Sequence, residues 1–119
     1  GKYILIVEDD EYSSKFFSEI FESYEVNLIL CETAEECINI VKNNSKIDIV
    51  LMDIKLPGKD GLYATKKIKE IRKNLPVVAQ TAYALEGDRE NILEEGCDDY
   101  ISKPIIVDEL IASLERFIN

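Results

Sequence analysis

The residues able to do chemistry in this chain stand where its apolar runs end. Glu8, Asp9 and Asp10 follow the run Tyr3–Val7, and Asp53 closes Ile47–Met52. Thr81 comes after Pro76–Ala79, and Lys103 after Asp99–Ser102. Carboxylates gathered on one rim repel each other strongly. A hard divalent cation relieves that repulsion, and Mg²⁺ typically takes one or two carboxylates, a carbonyl and several waters. With the cation present, an anionic phosphoryl group can approach an anionic Asp, while a lysine and a hydroxyl steady its oxygens. These residue types fit phosphorylation of a carboxylate, on condition that the fold brings the ends of the runs together.

Composition removes several other chemistries. The sequence has 119 residues and no histidine, so this segment is neither a phosphohistidine carrier nor a His-ligated metal site nor a Ser-His-Asp hydrolase. Cys31, Cys37 and Cys97 are odd in number and lack the short spacings of a zinc site; they read as reduced core thiols. A net charge of −10 argues against a nucleic-acid surface. No signal peptide and no apolar run of membrane-spanning length occurs, so a cytoplasmic domain without membrane insertion is expected. Apolar residues make up 46% of the chain, enough for one core over 1–119 without disulfides.

The elements that must position those residues alternate regularly. Tyr3–Val7 (YILIV) is a strand covered on both faces, and Phe16, Phe17, Ile20, Phe21 and Tyr24 set an amphipathic helix over about residues 11–24, its aromatic face in the core. Val26–Cys31 reads as a strand. Thr33-Ala34-Glu35-Glu36 has the form of a capping box for a helix bearing Ala34, Cys37, Ile38 and Val41. Ile47–Met52 is the clearest buried strand. Pro57-Gly58 marks a turn, and Asp60 caps a helix with Ala64, Ile68 and Ile71. Pro76–Ala79 is a short strand, Glu86–Glu95 a weaker helix stopped by Gly96, Asp99–Ser102 the last strand, and Leu110, Ile111, Leu114, Phe117 and Ile118 the stripe of a final helix. Strand–helix alternation repeated five times predicts a doubly wound parallel sheet with helices on both faces, and in such sheets sites lie beyond the carboxyl ends of the strands.

At this point the chain resembles the response-regulator receiver family along essentially its whole length. The matching pieces are the acidic pair in ILIVEDD, the acceptor in VLMDIKLPGKDG, the hydroxyl in VVAQTA, and YISKP. The wording of MDIKLPGKDG and AQTAYA looks most like receivers attached to hybrid sensor histidine kinases. The resemblance implies a flavodoxin-like (CheY-like) α/β sandwich of three layers, with five strands ordered 2-1-3-4-5. It implies Asp53 as phosphoacceptor. Glu8, Asp9, Asp53 and the carbonyl of Lys55 would hold Mg²⁺, with Mn²⁺ as a substitute. Thr81, the N–H of Ala82 and Lys103 would contact the phosphoryl group, and Tyr100 would be an aromatic switch answering Thr81. The Lys103-Pro104 bond is expected to be cis, aiming the lysine inward.

Between neighbouring acids the choice falls on Glu8 and Asp9 for the metal, because Asp10 can cap the first helix. Tyr83, beside the acceptor, would hinder attacking water and lengthen the phosphoryl lifetime. The implied partner is a histidine kinase or a histidine phosphotransfer domain, with a homodimer through the last helix–strand–helix face as a further option. Such a domain catalyses its own phosphorylation and dephosphorylation without being a turnover enzyme, and its parent chain would be a hybrid histidine kinase or a stand-alone regulator. A pseudo-receiver that keeps the fold as a binding module is the alternative. Each residue alone has a plainer role: Asp53 or Thr81 as a strand-end turn residue, Lys103 as a solvated lysine, Tyr100 as an aromatic that only packs. A phosphohydrolase would want a second acid where Lys55 stands, and a flavin carrier would not place Glu8-Asp9-Asp10 in its phosphate loop.

Overall fold

Runs rich in Ile, Val and Leu form strands buried on both faces, and amphipathic helices between them cover those faces. The computed structural model describes residues 1–56, 58, 60–82 and 86–118, without the side chains of 86–89. In chain order the elements are β1 Lys2–Val7, α1 Glu11–Phe21, β2 Val26–Cys31, α2 Ala34–Asn43, β3 Ile47–Asp53, α3 Gly61–Ile71, β4 Val77–Thr81, α4 Glu86–Glu94, β5 Asp99–Ser102 and α5 Val107–Ile118. The five strands are parallel in the order β2-β1-β3-β4-β5. This is the flavodoxin-like sandwich that the alternation and the resemblance predict.

Two cores flank the sheet. One holds Leu5, Val7, Val50, Met52, Val77 and Ala79 under α2 and α3, contributed through Ala34, Cys37, Val41, Ala64 and Ile68. The other holds Ile4, Ile6, Ile49, Leu51, Val78 and Ile101 under Phe17 and Phe21 of α1 and Leu110 and Leu114 of α5. Alternate residues of each strand divide between the two, as the period of an extended chain requires. Cys31, Cys37 and Cys97 are all buried free thiols. Burial pushes the Cys97 thiol up to about 11, and the Cys37 thiol is raised by the adjacent Cys31 and by burial.

Helix starts follow their caps. Asp10, Thr33 and Asp60 accept from the backbone N–H groups of Ser13, Glu36 and Tyr63, satisfying donors with no partner inside the helix. At the Thr33 cap the hydroxyl also meets Glu36 Oε1 at 3.1 Å, so Glu36 answers the side chain of the cap. Gly96 ends α4 with φ of 110°, a conformation that favours glycine. Gly58 has φ of 75°, consistent with a turn there, while Pro57 lies outside the described residues.

Three expectations need correction. Helix α1 stops at Phe21, not Tyr24, because Tyr24 N–H donates to Phe21 O and Val26 N–H to Tyr24 O, turning the chain into β2. Its aromatic face is only half core: Phe17 and Phe21 are buried, whereas Phe16 and Tyr24 are exposed. Strand β4 runs two residues past Ala79, since Gln80 and Thr81 pair with Asp53 and Ser102 on its two sides. A strand flanked on both sides is held to its end by its neighbours, which apolar content alone does not reveal.

Candidate functional site

The parallel order brings the carboxyl ends of β1, β3, β4 and β5 to one edge. There a cleft of about 240 Å³ is lined by Glu8, Asp9, Asp10, Asp53, Ile54, Lys55, Thr81, Ala82 and Lys103. Asp53 is the last residue of β3 and is 4% exposed. Its Oδ1 accepts from the backbone N–H of Lys55 at 3.0 Å, and its Oδ2 from Lys103 Nζ at 3.2 Å. Lys103 Nζ also lies 3.6 Å from Glu8 Oε1. The lysine backbone is anchored where Lys103 N–H donates to Thr81 O at 2.8 Å, and the following bond to Pro104 is cis, as expected.

The acids at the end of β1 divide by environment. Asp10 caps α1: its Oδ2 accepts from Ser13 N at 3.2 Å and Ser13 Oγ at 2.8 Å, which holds its carboxyl below the usual range. Asp9 is exposed, and Glu8 is 1% exposed. Neither oxygen of Glu8 accepts a hydrogen bond from a described residue. One carboxylate oxygen from each of Glu8, Asp9 and Asp53 lies within 4.8 Å of the other two. The two donor-less oxygens of buried Glu8, clustered with an oxygen of Asp53 and one of exposed Asp9, fit a hard divalent cation.

Burial, and then the Asp53 carboxylate beside it, pushes the Glu8 carboxyl up to about 8, with Lys103 acting in the opposite sense. The folded chain therefore holds a proton that the unfolded chain, with an ordinary carboxyl near 4.5, releases much earlier. This contribution to stability is fully present below about 4.5 and is lost as the pH rises through about 8. In the presence of a chelator, the unfolding free energy from urea titrations is expected to fall between pH 5 and 8, at most by about 1.4 kcal/mol per pH unit. Mg²⁺ should restore it, and Glu8→Gln should flatten the slope. A flat profile in the unsubstituted chain would show that Glu8 ionises normally.

Thr81 ends β4, is buried, and faces the cleft together with exposed Ala82. Tyr100 sits on β5 opposite Ala79, half-buried against the core under α2 and α3, outside the cleft lining. Tyr83 lies outside the described residues. Two positions escaped the sequence reading. At Gly61 a Cβ would stand 2.2 Å from Asp53 O, so any side chain there would push α3 off the end of β3. Its signal was the glycine directly after the Asp60 cap. Gln80 is fully buried, and its signal was an amide directly after the apolar run of β4.

With this geometry in hand, the chain can be set beside known proteins. The family model of the response regulator receiver domain matches residues 4–115. The polar-differentiation response regulator DivK of Brucella ovis is 37% identical over 120 residues, covering 99% of this chain and 97% of the relative. The receiver domain of a sensor histidine kinase from Pseudomonas aeruginosa PAO1 superimposes with a TM-score of 0.90 at 34% identity, covering 99% of this chain and 98% of that one. That crystal structure has a magnesium ion coordinated in the active site cleft. A CheY-like receiver from Methanospirillum hungatei gives a TM-score of 0.88 at 29% identity, covering 97% of this chain and 91% of that one.

Proposed function

This chain belongs to the response regulator receiver domain family, and on that premise we propose that it takes a phosphoryl group onto Asp53 from a phosphohistidine donor in a Mg²⁺-dependent reaction. The observation that carries this reading is the setting of Asp53, a buried carboxylate between the Lys55 N–H and the Lys103 ammonium, within reach of two further acids. In the transfer, an Asp53 carboxylate oxygen bonds to phosphorus as the P–N bond breaks, and the imidazole leaves with the electron pair. Lys103 follows the charge onto a phosphoryl oxygen, and the Thr81 hydroxyl and Ala82 N–H donate to the others. Glu8, Asp9, Asp53 and the Lys55 carbonyl are the groups that would hold the cation, which when bound offsets the repulsion between the acids and the incoming phosphate.

Movement of Thr81 toward the phosphate would release room beside it for Tyr100, giving the α4–β5–α5 face two packings whose balance phosphorylation tilts. The donor is a histidine kinase or a histidine phosphotransfer protein, and the modified face is a candidate dimer surface. We read 1–119 as one domain acting in the cytoplasm; among the described residues no helix is long and apolar enough to cross a membrane. Mn²⁺ would serve in place of Mg²⁺.

The test is incubation with acetyl phosphate, with and without Mg²⁺, followed by intact mass. Uptake of one phosphoryl group that requires the cation is expected. No uptake under either condition would favour a pseudo-receiver, which uses the same fold only for binding.

A further inference from the structure

Gln80 contradicts the chemistry of the strand that carries it. Its side chain is fully buried, yet neither Oε1 nor Nε2 has a hydrogen-bond partner among the described residues. Leaving a buried amide unsatisfied is destabilising, and an apolar side chain of similar shape would avoid that cost. Such exceptions gather at functional sites.

Its place in the sheet shows what the amide is near. Val78, two residues earlier, belongs to the core under α1 and α5, as do Ile6 on β1 and Leu51 on β3. Residues two apart on a strand share a face. Asp53 and Gln80 therefore stand in direct register at the ends of adjacent strands on that face, and Glu8 directly follows β1 on the other side of β3. Beside Gln80 lies a second cavity of about 280 Å³, walled by Gln80, Lys103, Pro104, Ser13 and Phe17 among others. Lys103 lines both this cavity and the acidic cleft. Ser13 donates its hydroxyl to Asp10, so Lys103 is the charged group that the cavity offers to the amide.

We propose that Gln80 is a positioning residue for Lys103, its amide oxygen receiving one N–H of the ammonium, directly or through one water in the cavity, once Asp53 carries the phosphoryl group. An ammonium has three donors. In the resting arrangement Asp53 and Glu8 draw it toward the acids. Phosphorylation converts Asp53 into an acyl phosphate and moves negative charge outward, so Lys103 must reorient on a backbone already fixed to Thr81. A neutral amide can hold one N–H of the reoriented lysine without drawing it away from the phosphoryl oxygens, as a third carboxylate would. The unsatisfied amide then belongs to the resting state only, and its pairing favours the phosphorylated one.

This inference rests on the phosphoacceptor reading, and the experiment separates the two. Mg²⁺ affinity, and then the affinity for beryllofluoride in saturating Mg²⁺, are measured by calorimetry for the unsubstituted chain, for Gln80→Leu and for Gln80→Met as a second apolar variant. The expected result is Mg²⁺ binding within twofold of the parent, beryllofluoride binding weakened about ten- to a hundredfold, and a melting temperature unchanged or raised. A crystal of the parent complex should place Lys103 Nζ within hydrogen-bond reach of Gln80 Oε1 or of a water on it. Equal weakening of both ligands, no weakening of beryllofluoride, or a Lys103 turned away from Gln80 in the complex would overturn the assignment. If the parent chain binds no beryllofluoride, the phosphoacceptor reading itself fails, and this role goes with it.

Discussion

Asp53→Asn is expected to leave the chain folded and to abolish phosphoryl uptake from acetyl phosphate, so that the intact mass stays that of the unmodified protein after long incubation with Mg²⁺. The amide keeps the shape of the carboxylate, and its oxygen still accepts the Lys55 N–H that Asp53 Oδ1 accepts at 3.0 Å. It has no anionic oxygen to attack phosphorus. The fold loses little, because the change removes one of two neighbouring acids as well as one partner of Lys103. Asp53 raises the Glu8 carboxyl in the parent, so in the variant Glu8 should titrate lower and the stability profile between pH 5 and 8 should be shallower. Retained uptake would move the acceptor to another residue. Uptake lost together with cooperative unfolding would mean that Asp53 is structural.

Lys103→Met should slow phosphorylation by about a hundred- to a thousandfold, the usual effect of deleting one preorganised group that stabilises charge in the transition state. The stem of the methionine fills the space of the lysine between the two cavities, so the loss reports the ammonium and not a void. A second consequence comes from the same substitution. Lys103 is the neighbouring cation that holds the Glu8 carboxyl down against burial and Asp53, so without it Glu8 should titrate still higher. Its proton is then retained to higher pH in the folded chain, and the fall in stability extends above pH 8 in the absence of a divalent cation. Single-turnover labelling with acetyl phosphate measures the first effect and urea midpoints across pH the second. A rate within threefold of the parent would remove Lys103 from the reaction.

Much of the architecture was legible from the residues. Apolar runs, helical stripes and side-chain caps are local patterns, so the five strands, the Thr33 and Asp60 caps, the Gly96 stop and the choice of Asp10 as a cap could be read without the fold. The residues that line the cleft were legible too, because parallel strands expose their carboxyl ends together and the polar residues follow those ends. Motif likeness then supplied the strand order. The local readings failed where neighbours in space decide. Phe16 continues the aromatic pattern of α1 but projects past the edge of the core, and β4 is lengthened by strands on both sides of Gln80 and Thr81.

Hydrophobic period, capping and turn chemistry act over a few residues, so the chain alone fixes which elements form and which chemical groups stand at their ends. Three-dimensional packing sets the rest: Glu8 is buried while Asp9 is exposed, and Lys103 reaches both Glu8 and Asp53. It alone left the amide of Gln80 beside them without a partner among the described residues. Burial and electrostatic coupling depend on distances between residues remote in the chain, and those distances exist only once the strands have paired.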